Sequence, residues 1–221
     1  MINPQLTRFM SVEFNPLSPT QREQFRAAAK EGTPYERLCG VVLLDTGLRR
    51  DTFAHMRALN GDKWYRKAAS PPEIHVPTKD ECMVGYGQRG DPSSRGEGVC
   101  SPCSDRGEDH WVPKTETATR RVWVHEEDAQ EAIEDWFTLN DVVSAPQKVN
   151  RATASIADRA DFQRNVTPHN LRQTYGSRLA QQGHNAYEIR DLMGHSTIMT
   201  SEKYVRLFGA QLKKSHADKW E

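Results

Sequence analysis

The sequence contains no long apolar run. Its longest uninterrupted apolar stretch, Val41 to Leu44, has four residues, far fewer than the roughly 20 that a membrane-spanning helix needs. The first residues, MINPQLTRFMSVEF, lack the basic and then apolar layout of a secretory signal peptide. These two absences argue against a membrane partner and predict a cytoplasmic location.

The sequence also has no excess of either charge. Lysine plus arginine and aspartate plus glutamate each number 30, so the formal net charge at pH 7 is zero. Proteins that neutralise nucleic-acid phosphates are usually basic, and the composition therefore gives no indication of such a partner. Two explanations would reconcile a neutral chain with phosphate binding. One is a saline cytoplasm that selects for acidic surfaces, and the other is local clustering, because the C-terminal third carries Arg164, Arg172, Arg178, Arg190, Lys203, Arg206, Lys213 and Lys214.

Cysteine is scarce, with four residues in all. Cys39 lies beside the apolar run and reads as a small buried hydrophobe. The other three, Cys82, Cys100 and Cys103, include a C-x-x-C pair, which is half of a tetrahedral zinc site. One interpretation is a structural zinc ion whose fourth ligand is His110 or His75. The other interpretation is three reduced thiols in a flexible loop, since a chain without a secretory signal is not expected to form disulfides.

The first sixty residues are predicted to be helical. Two segments have the pattern of a helix start, in which a cap residue is followed by a proline and, three positions after the cap, by a capping-box partner. They are Ser18-Pro19-Thr20-Gln21 and Thr33-Pro34-Tyr35-Glu36. The second helix is apolar nearly all round and should therefore be buried. It ends at Gly47, and Asp51 is placed to cap a short helix that runs to Met56.

Between about Lys63 and Val124 the pattern changes to strands and loops. Strands are predicted at Glu73–Pro77, Asp109–Pro113 and Arg120–His125, where aromatic and β-branched residues alternate. Residues 78–108 between the first two are rich in Gly, Pro, Ser and Asp, which is typical of a long loop insertion.

Helices are predicted again from Glu126 to the C-terminus. The last sixty residues carry three of them. The first begins at Thr167-Pro168 and has Leu171, Tyr175 and Leu179 on one stripe. The second runs from a capping box at Asn185 to Gly194, and the third begins near Thr200 and carries Tyr204 in its first turns.

These helices bring together groups suited to metal-free phosphodiester exchange. That reaction needs a nucleophile, donors for the phosphoryl oxygens and an acid for the leaving oxygen. His169 and Arg172 lie three residues apart and so share a helix face. His195 follows Gly194 at a helix end, and Tyr204 comes nine residues later.

The order of these residues resembles the tyrosine recombinase, or phage integrase, family. The segments T-P-H-N-L-R-Q-T, L-M-G-H-S and S-E-K-Y reproduce its pattern of H-x-x-R, then G-H, then tyrosine. Upstream, D-T-G-L-R is similar to the box that supplies the family's first arginine, here Arg49. P-K-T-E-T-A-T-R-R-V is similar to its lysine-bearing hairpin, here with Lys114. The residues of these boxes and the cysteine-bearing insertion look most like those of archaeal and archaeal-virus members. For a viral member the cytoplasm would be that of the host.

The resemblance implies an α+β fold, mostly α-helical, with a small three-stranded antiparallel sheet. The catalytic domain is expected at residues 17–221, with the insertion at about 78–108 and an extension at residues 1–16. The family usually has a further helical domain ahead of the catalytic one. It also usually has an acidic residue where this chain has Thr52, which is adjacent to Asp51.

The implied activity is that of a site-specific recombinase, or integrase, acting on double-stranded DNA as a homo-oligomer. Tyr204 would form a 3′-phosphotyrosine, Arg49 and Arg172 would hold phosphoryl oxygens, and His195 would donate a hydrogen bond. His169 would help to take the tyrosine proton and Lys114 would protonate the 5′ oxygen. No catalytic metal, cofactor or ATP is expected.

Rival assignments exist for three of these positions: Arg50 for Arg49, Lys79 or Lys67 for Lys114, and Tyr175 or Tyr187 for Tyr204. Tyr175 falls on the apolar stripe, which predicts a core residue. The same residue set would also suit a type IB topoisomerase. A DNA-binding regulatory relic without turnover is a third reading, and the short N-terminal extension favours it.

Overall fold

The computed structural model describes residues 14–59, 62–84, 99–108 and 110–217. Helix α1 (Pro19–Lys30) and helix α2 (Pro34–Thr46) begin at the two predicted capping boxes, with Ser18 and Thr33 as the caps. In each box the cap side chain accepts from the backbone N–H three residues on, and that residue's side chain accepts from the cap. These bonds satisfy amide groups that a helix start otherwise leaves unpaired.

Helix α2 is the centre of the fold. It is buried along its length from Leu38 to Thr46, as its apolar sequence predicts, and it packs against α1, α5 (Glu127–Leu139), α6 (Pro146–Arg159) and α7 (Pro168–Gln181). It ends at Gly47, whose φ of 57° is left-handed. A Cβ there would lie 2.4 Å from the Tyr175 ring, so both the backbone angle and the space require glycine.

Two small antiparallel sheets follow the short helix α3 (Arg50–His55). Strands β1 (Ala58–Leu59) and β2 (Asp62–Lys63) form one, and β3 (Tyr65–Arg66), β4 (Glu73–Val76) and β5 (Arg120–Trp123) form the other in that order. The register pairs Ile74 with Val122. A three-stranded antiparallel sheet is therefore confirmed, but its membership differs from the prediction.

The predicted strand at Asp109–Pro113 was wrong over the residues described there, and β3 takes its place in the sheet. Trp111 forms only an isolated bridge with Asp80. Its ring is fully buried between His55 and Trp64, and Pro113 has no N–H for a ladder. Aromatic packing, rather than strand pairing, holds this segment. The connection from β4 to β5 also carries α4 (Ser101–Ser104) and a 3₁₀ turn (Glu116–Ala118). Residues 85–98 of the predicted insertion lie outside the described residues.

The C-terminal helices are α7, α8 (Ala186–Met193) and α9 (Met199–Ala217). Capping boxes begin α7 at Thr167 and α8 at Asn185. Together these helices enclose a second, smaller apolar cluster that includes Tyr175, Met193 and Tyr204. Within the described ranges, no helix is both long and apolar enough to cross a membrane.

Candidate active site

Arg172 lies at the centre of the candidate site. It is on the buried face of α7 and only 6% exposed. Its Nη1 donates to the Gly47 carbonyl at 2.6 Å and its Nη2 donates to the Met193 carbonyl at 2.5 Å. These bonds fix the guanidinium between the end of α2 and the end of α8. Arg172 is buried on α7 together with Leu171 and Tyr175.

Arg49 approaches the same point from the residue before α3. Its Nη2 donates to the Gly194 carbonyl at 2.9 Å. Its Nη1 is buried, and no hydrogen-bond partner lies in reach of it among the described residues. Arg50, the rival for this position, is exposed. The geometry therefore favours Arg49 as the arginine that faces the site.

A third guanidinium, that of Arg120, was missed by the sequence reasoning. At the start of β5, its Nε donates to the Leu192 carbonyl at 2.9 Å and its Nη1 donates to Ala118 at 3.0 Å. Its Nη2 is buried and, within the described part of the chain, has no partner. Strand periodicity contained a signal for this residue, because Arg120 is two positions from buried Val122 and so shares its face, whereas Arg121 is exposed.

The three guanidinium groups form a buried cluster of one sign. Burial, followed by the charges of Arg49 and Arg120, holds the pKa of Arg172 well below its usual range. Burial and then the Arg49 charge lower the pKa of Arg120 to about 10. Among the described residues no carboxylate forms an ion pair with any of the three. A cluster of cations with unused donors is disfavoured on its own and favours a bound anion.

The loop after α8 closes this cluster. Gly194 has a left-handed φ of 62°, and a Cβ there would lie 2.7 Å from the Thr117 carbonyl and 2.8 Å from Arg120 Nη1. Only glycine allows this approach. The next residue, His195, is buried, and its Nδ1 lies 2.8 Å from the Ser201 Oγ. Burial and then the charges of Arg172 and Arg49 lower the pKa of His195 to about 3.

Tyr204 lies on α9 with its ring parallel to that of His195, at a centroid distance of 6.1 Å and an interplanar angle of 7°. It packs so closely on Gly176 that a Cβ there would lie 2.6 Å from its ring. The ring of Phe14 meets it edge-on. Burial raises the pKa of Tyr204 to about 12, although Arg172 acts in the opposite direction. The phenol is therefore neutral at pH 7 and needs a base to become a nucleophile.

His169 and Lys114 are exposed, and His169 lies close enough to Arg172 for that charge to act on it. Partial burial and then the charges of Lys203 and Arg172 lower the pKa of His169, so a neutral ring, able to accept a proton, is favoured. Lys114 comes three residues before Thr117, whose carbonyl lies against Gly194. The structure thus brings Arg49, Arg172, His195 and Tyr204 together, and places the segment that carries Lys114 beside them.

The rival lysines and tyrosines lie in other surroundings. Lys67 pairs with Glu134 at 2.6 Å, away from the arginines, and Lys79 is exposed on the same β4–β5 connection as Lys114. Tyr175 is packed in the core against Gly47, as predicted, and Tyr187 is 63% exposed on α8.

The three insertion cysteines are brought together, but the expected fourth ligand was wrong. His55 at the end of α3, rather than His110 or His75, joins Cys82, Cys100 and Cys103. His75 instead meets the Arg66 guanidinium at 2.8 Å, and His110 lies 3.3 Å from a Glu108 carboxylate oxygen. His55 is 27 residues from the nearest of these cysteines in sequence, so no spacing rule connects it to them.

Residues 106–210 match the phage integrase family. A tyrosine recombinase of Pseudothermotoga lettingae is 25% identical over 99 residues, which are 45% of this chain and 35% of that protein. A crystal structure of XerA recombinase aligns at a TM-score of 0.62 with 18% identity, over 99% of this chain and 66% of that one.

The Tn1549 transposon integrase, in complex with transposon right-end DNA, aligns at a TM-score of 0.57 with 18% identity, over 87% of this chain and 61% of that one. The chain thus spans 66% or less of the length of each of these proteins. Of the candidate site residues, only Arg49 precedes the family match. Residues 106–210 are therefore similar to the phage integrase family, and the chain has the fold of a tyrosine recombinase catalytic domain.

Proposed function

We propose that this chain is the catalytic part of a site-specific DNA recombinase, or integrase, which cuts and rejoins strands through a 3′-phosphotyrosine. The observation that carries this proposal is the buried cluster of Arg49, Arg120 and Arg172 next to the stacked rings of His195 and Tyr204. Three cations with two unused donors match the equatorial oxygens of a phosphoryl group under attack, where preorganised donors act most strongly.

Each side chain then has a role in cleavage. The Tyr204 Oη attacks phosphorus, and the bond from phosphorus to the 5′ oxygen breaks. His169 accepts the phenolic proton, directly or through water, and Lys114 gives a proton to the 5′ oxygen. The reverse attack by a 5′-hydroxyl reseals the strand. The phosphotyrosine conserves the bond energy, so the reaction needs neither ATP nor a divalent ion.

His195 acts in this scheme as a neutral donor. With a pKa of about 3 its ring is uncharged at pH 7, so one nitrogen accepts and the other donates. We assign the accepting role to Nδ1, towards the Ser201 hydroxyl at 2.8 Å. The Nε2–H is then available for a phosphoryl oxygen. Ser201, which is fully buried, thereby sets the orientation and tautomer of the ring.

We propose that the substrate is double-stranded DNA and that the protein acts on it in the cytoplasm. Because α9 continues past the nucleophile with exposed Leu207, we propose that this tail docks on a second copy when the protein assembles on DNA. The residues of the sequence motifs and the cysteine-bearing insertion suggest a mobile element of archaeal or archaeal-virus origin. Residues 17–221 remain our assignment for the catalytic domain, although residues 14–16 also pack on it through Phe14 and Asn15.

A covalent-trapping experiment tests the proposal. On a nicked suicide substrate, the wild-type chain should form a DNA adduct that resists denaturants, whereas Tyr204→Phe should form none and still bind DNA. Tyr187→Phe, which changes an exposed tyrosine on the neighbouring helix, is the matched control and should retain full adduct formation. Wild-type adduct in Tyr204→Phe would overturn the assignment of the nucleophile.

Assays on the same protein distinguish this function from those of a topoisomerase and of a regulatory DNA-binding protein. Relaxation of supercoiled DNA without strand exchange would identify a type IB topoisomerase activity. DNA binding with no adduct under any condition would identify a regulatory relic. For the proposed function we expect strand exchange between two copies of the protein's own site, which is found first by selecting bound sequences from random duplexes.

A further inference from the structure

Four side chains from three separate segments meet in a buried cluster outside the active site. They are His55 at the end of α3, Cys82 after β4, and Cys100 and Cys103 at α4. All four are buried, and their four potential ligand atoms lie within 4.8 Å of one another. A cluster this compact, drawn from points as far apart in sequence as His55 and Cys103, is not a by-product of local structure.

The distances from the histidine nitrogen are close to those of a tetrahedral metal site. The His55 Nε2 lies 3.3 Å from the Cys100 Sγ and 3.6 Å from the Cys103 Sγ. For zinc with bonds of about 2.3 Å to sulfur and about 2.0 Å to nitrogen, the edges of the tetrahedron are about 3.5 to 3.8 Å. These two edges are thus close to the separation that a shared ion would impose, and no pair of the four ligand atoms is more than 4.8 Å apart.

The histidine ring is oriented for this role. Its Nδ1 lies 2.8 Å from the Asp51 carbonyl oxygen, which can only accept, so Nδ1 carries a proton and Nε2, which faces the thiols, is the nitrogen that can bind a metal. A backbone carbonyl that fixes a histidine in this way is the usual second partner of a zinc-bound imidazole. Trp111 stacks on the ring at 5.7 Å and prevents it from turning away.

The polar surroundings also suit a metal–thiolate centre. The Cys100 N–H donates to the Cys82 Sγ at 3.3 Å, and the Arg106 Nη2 donates to the Cys103 Sγ at 3.4 Å. Zinc with three thiolates and one imidazole carries one net negative charge. The Arg106 guanidinium would balance that charge, and backbone donors to sulfur are common at such centres.

We propose that His55, Cys82, Cys100 and Cys103 bind one structural zinc ion. Four protein ligands complete the coordination of zinc, so the site holds the ion permanently and leaves no position for a substrate. The ion would join the β4–β5 connection to α3. Arg49 directly precedes α3, and Lys114 follows Cys103 by eleven residues. The metal would therefore stabilise the part of the chain that supplies both groups.

Metal analysis of the full chain tests the site. Protein purified without chelators, or refolded with zinc alone, should contain one zinc ion per chain by elemental mass spectrometry. His55→Ala and Cys100→Ser should each lose it. Two matched controls should retain it: Cys39→Ala, which removes the buried cysteine outside the cluster, and His75→Ala, which removes a histidine that sequence reasoning favoured.

A spectroscopic measurement on the unmodified protein covers the case in which a variant fails to fold. Cobalt substituted for zinc should give the intense visible bands of a tetrahedral thiolate site and about three thiolate charge-transfer contributions. Chelation should also expose three thiols to a thiol reagent. Absence of zinc from the wild type, no uptake of added zinc or cobalt, or retention of zinc by His55→Ala would each overturn the proposal.

Discussion

The arginine cluster and the cysteine–histidine cluster are both buried and polar, but they differ in what is left unused. In the arginine cluster each guanidinium is held by backbone carbonyls, and Arg49 and Arg120 each keep one buried donor without a partner in the described ranges. In the cysteine–histidine cluster all four potential ligand atoms lie within 4.8 Å of one another. The first arrangement suits a ligand that is exchanged, and the second suits a ligand that stays.

The two clusters also differ in access. His169, which precedes Arg172 on α7, and Lys114, on the segment that reaches Gly194 through Thr117, are both exposed, so we expect a DNA backbone to reach the buried donors from this side. His55 is enclosed by Trp111, which is itself fully buried. Concentrated positive charge costs stability in the free protein, and bound phosphate would offset that cost by mass action. The active site is therefore expected to be the less stable region until DNA binds.

The largest effect is expected at Lys114, which lies on the segment between the two clusters. Lys114→Ala should slow cleavage of ordinary DNA by about 10²–10⁴-fold, because the departing alkoxide then lacks a positioned acid. A substrate with sulfur at the 5′ bridging position should largely restore the rate, since a thiol has a pKa of only about 8.5 and leaves without a proton. Adduct formation on both substrates is the measurement.

Lys79→Ala is the matched control for that experiment, because Lys79 is also exposed on the β4–β5 connection. It should cleave both substrates at the wild-type rate. If Lys79→Ala shows the defect and its rescue, the acid is Lys79 instead. Removal of zinc should resemble Lys114→Ala in part, with greater loss on ordinary DNA than on the sulfur substrate, if the metal holds Lys114 in place.

A somewhat smaller effect is expected at Arg120, the guanidinium without a role in the sequence-based prediction. Arg120→Ala should slow cleavage by about 10²–10³-fold, the usual loss when a preorganised donor to an oxyanion is removed. The sulfur substrate should not rescue it, because the phosphoryl oxygens are unchanged. Arg120→Lys should remain defective, since an ammonium group cannot reproduce the planar fork that reaches Leu192 and Ala118.

Arg121→Ala provides the comparison for Arg120. The two arginines are adjacent on β5, but Arg121 is exposed and faces Glu73 at 3.7 Å. Its loss should leave the cleavage rate unchanged. Equal defects in the two variants would show that overall positive charge, rather than the buried geometry of Arg120, supports the reaction.

Sequence alone predicted the parts of this molecule that depend on local spacing. The capping boxes at Ser18, Thr33 and Asn185 fixed helix starts because their hydrogen bonds span three residues. A mostly helical fold with a small antiparallel sheet was also confirmed. The grouping of His169 with Arg172 followed from helix geometry in the same way.

What sequence missed depends on contacts between distant segments. Arg120 meets Arg49 and Arg172 only because β5 packs against the end of α8. His55 joins the cysteines because Trp111 and Asp51 hold its ring, and no spacing rule expresses that. The misplaced strand at Asp109–Pro113 has the same origin, because Trp111 and Val112 are the aromatic and β-branched residue types of a strand, but Trp111 is used as a buried anchor.

The smallest expected effect is on stability and concerns His195. Its pKa is about 3 in the folded protein and about 6.5 in an unfolded chain. Between these values the unfolded state binds the extra proton, so acidification favours unfolding. The contribution of the neutral His195 to the free energy of unfolding is complete above pH 6.5 and is lost progressively as the pH falls towards 3. At pH 5 the loss amounts to about 2 kcal/mol, from 1.36 kcal/mol per pH unit over about 1.5 units.

Denaturant unfolding of DNA-free wild type and His195→Gln at pH 7 and pH 5 measures this loss of unfolding free energy. Glutamine keeps a polar side chain but cannot titrate, so the variant should lose less stability between the two pH values, by about 2 kcal/mol. His184→Gln, which replaces a more exposed histidine next to Glu188, should track the wild type. If wild type and His195→Gln respond identically to pH, then the imidazole is not held neutral by burial and the arginine charges, and its assignment as a neutral donor to the phosphate fails with it.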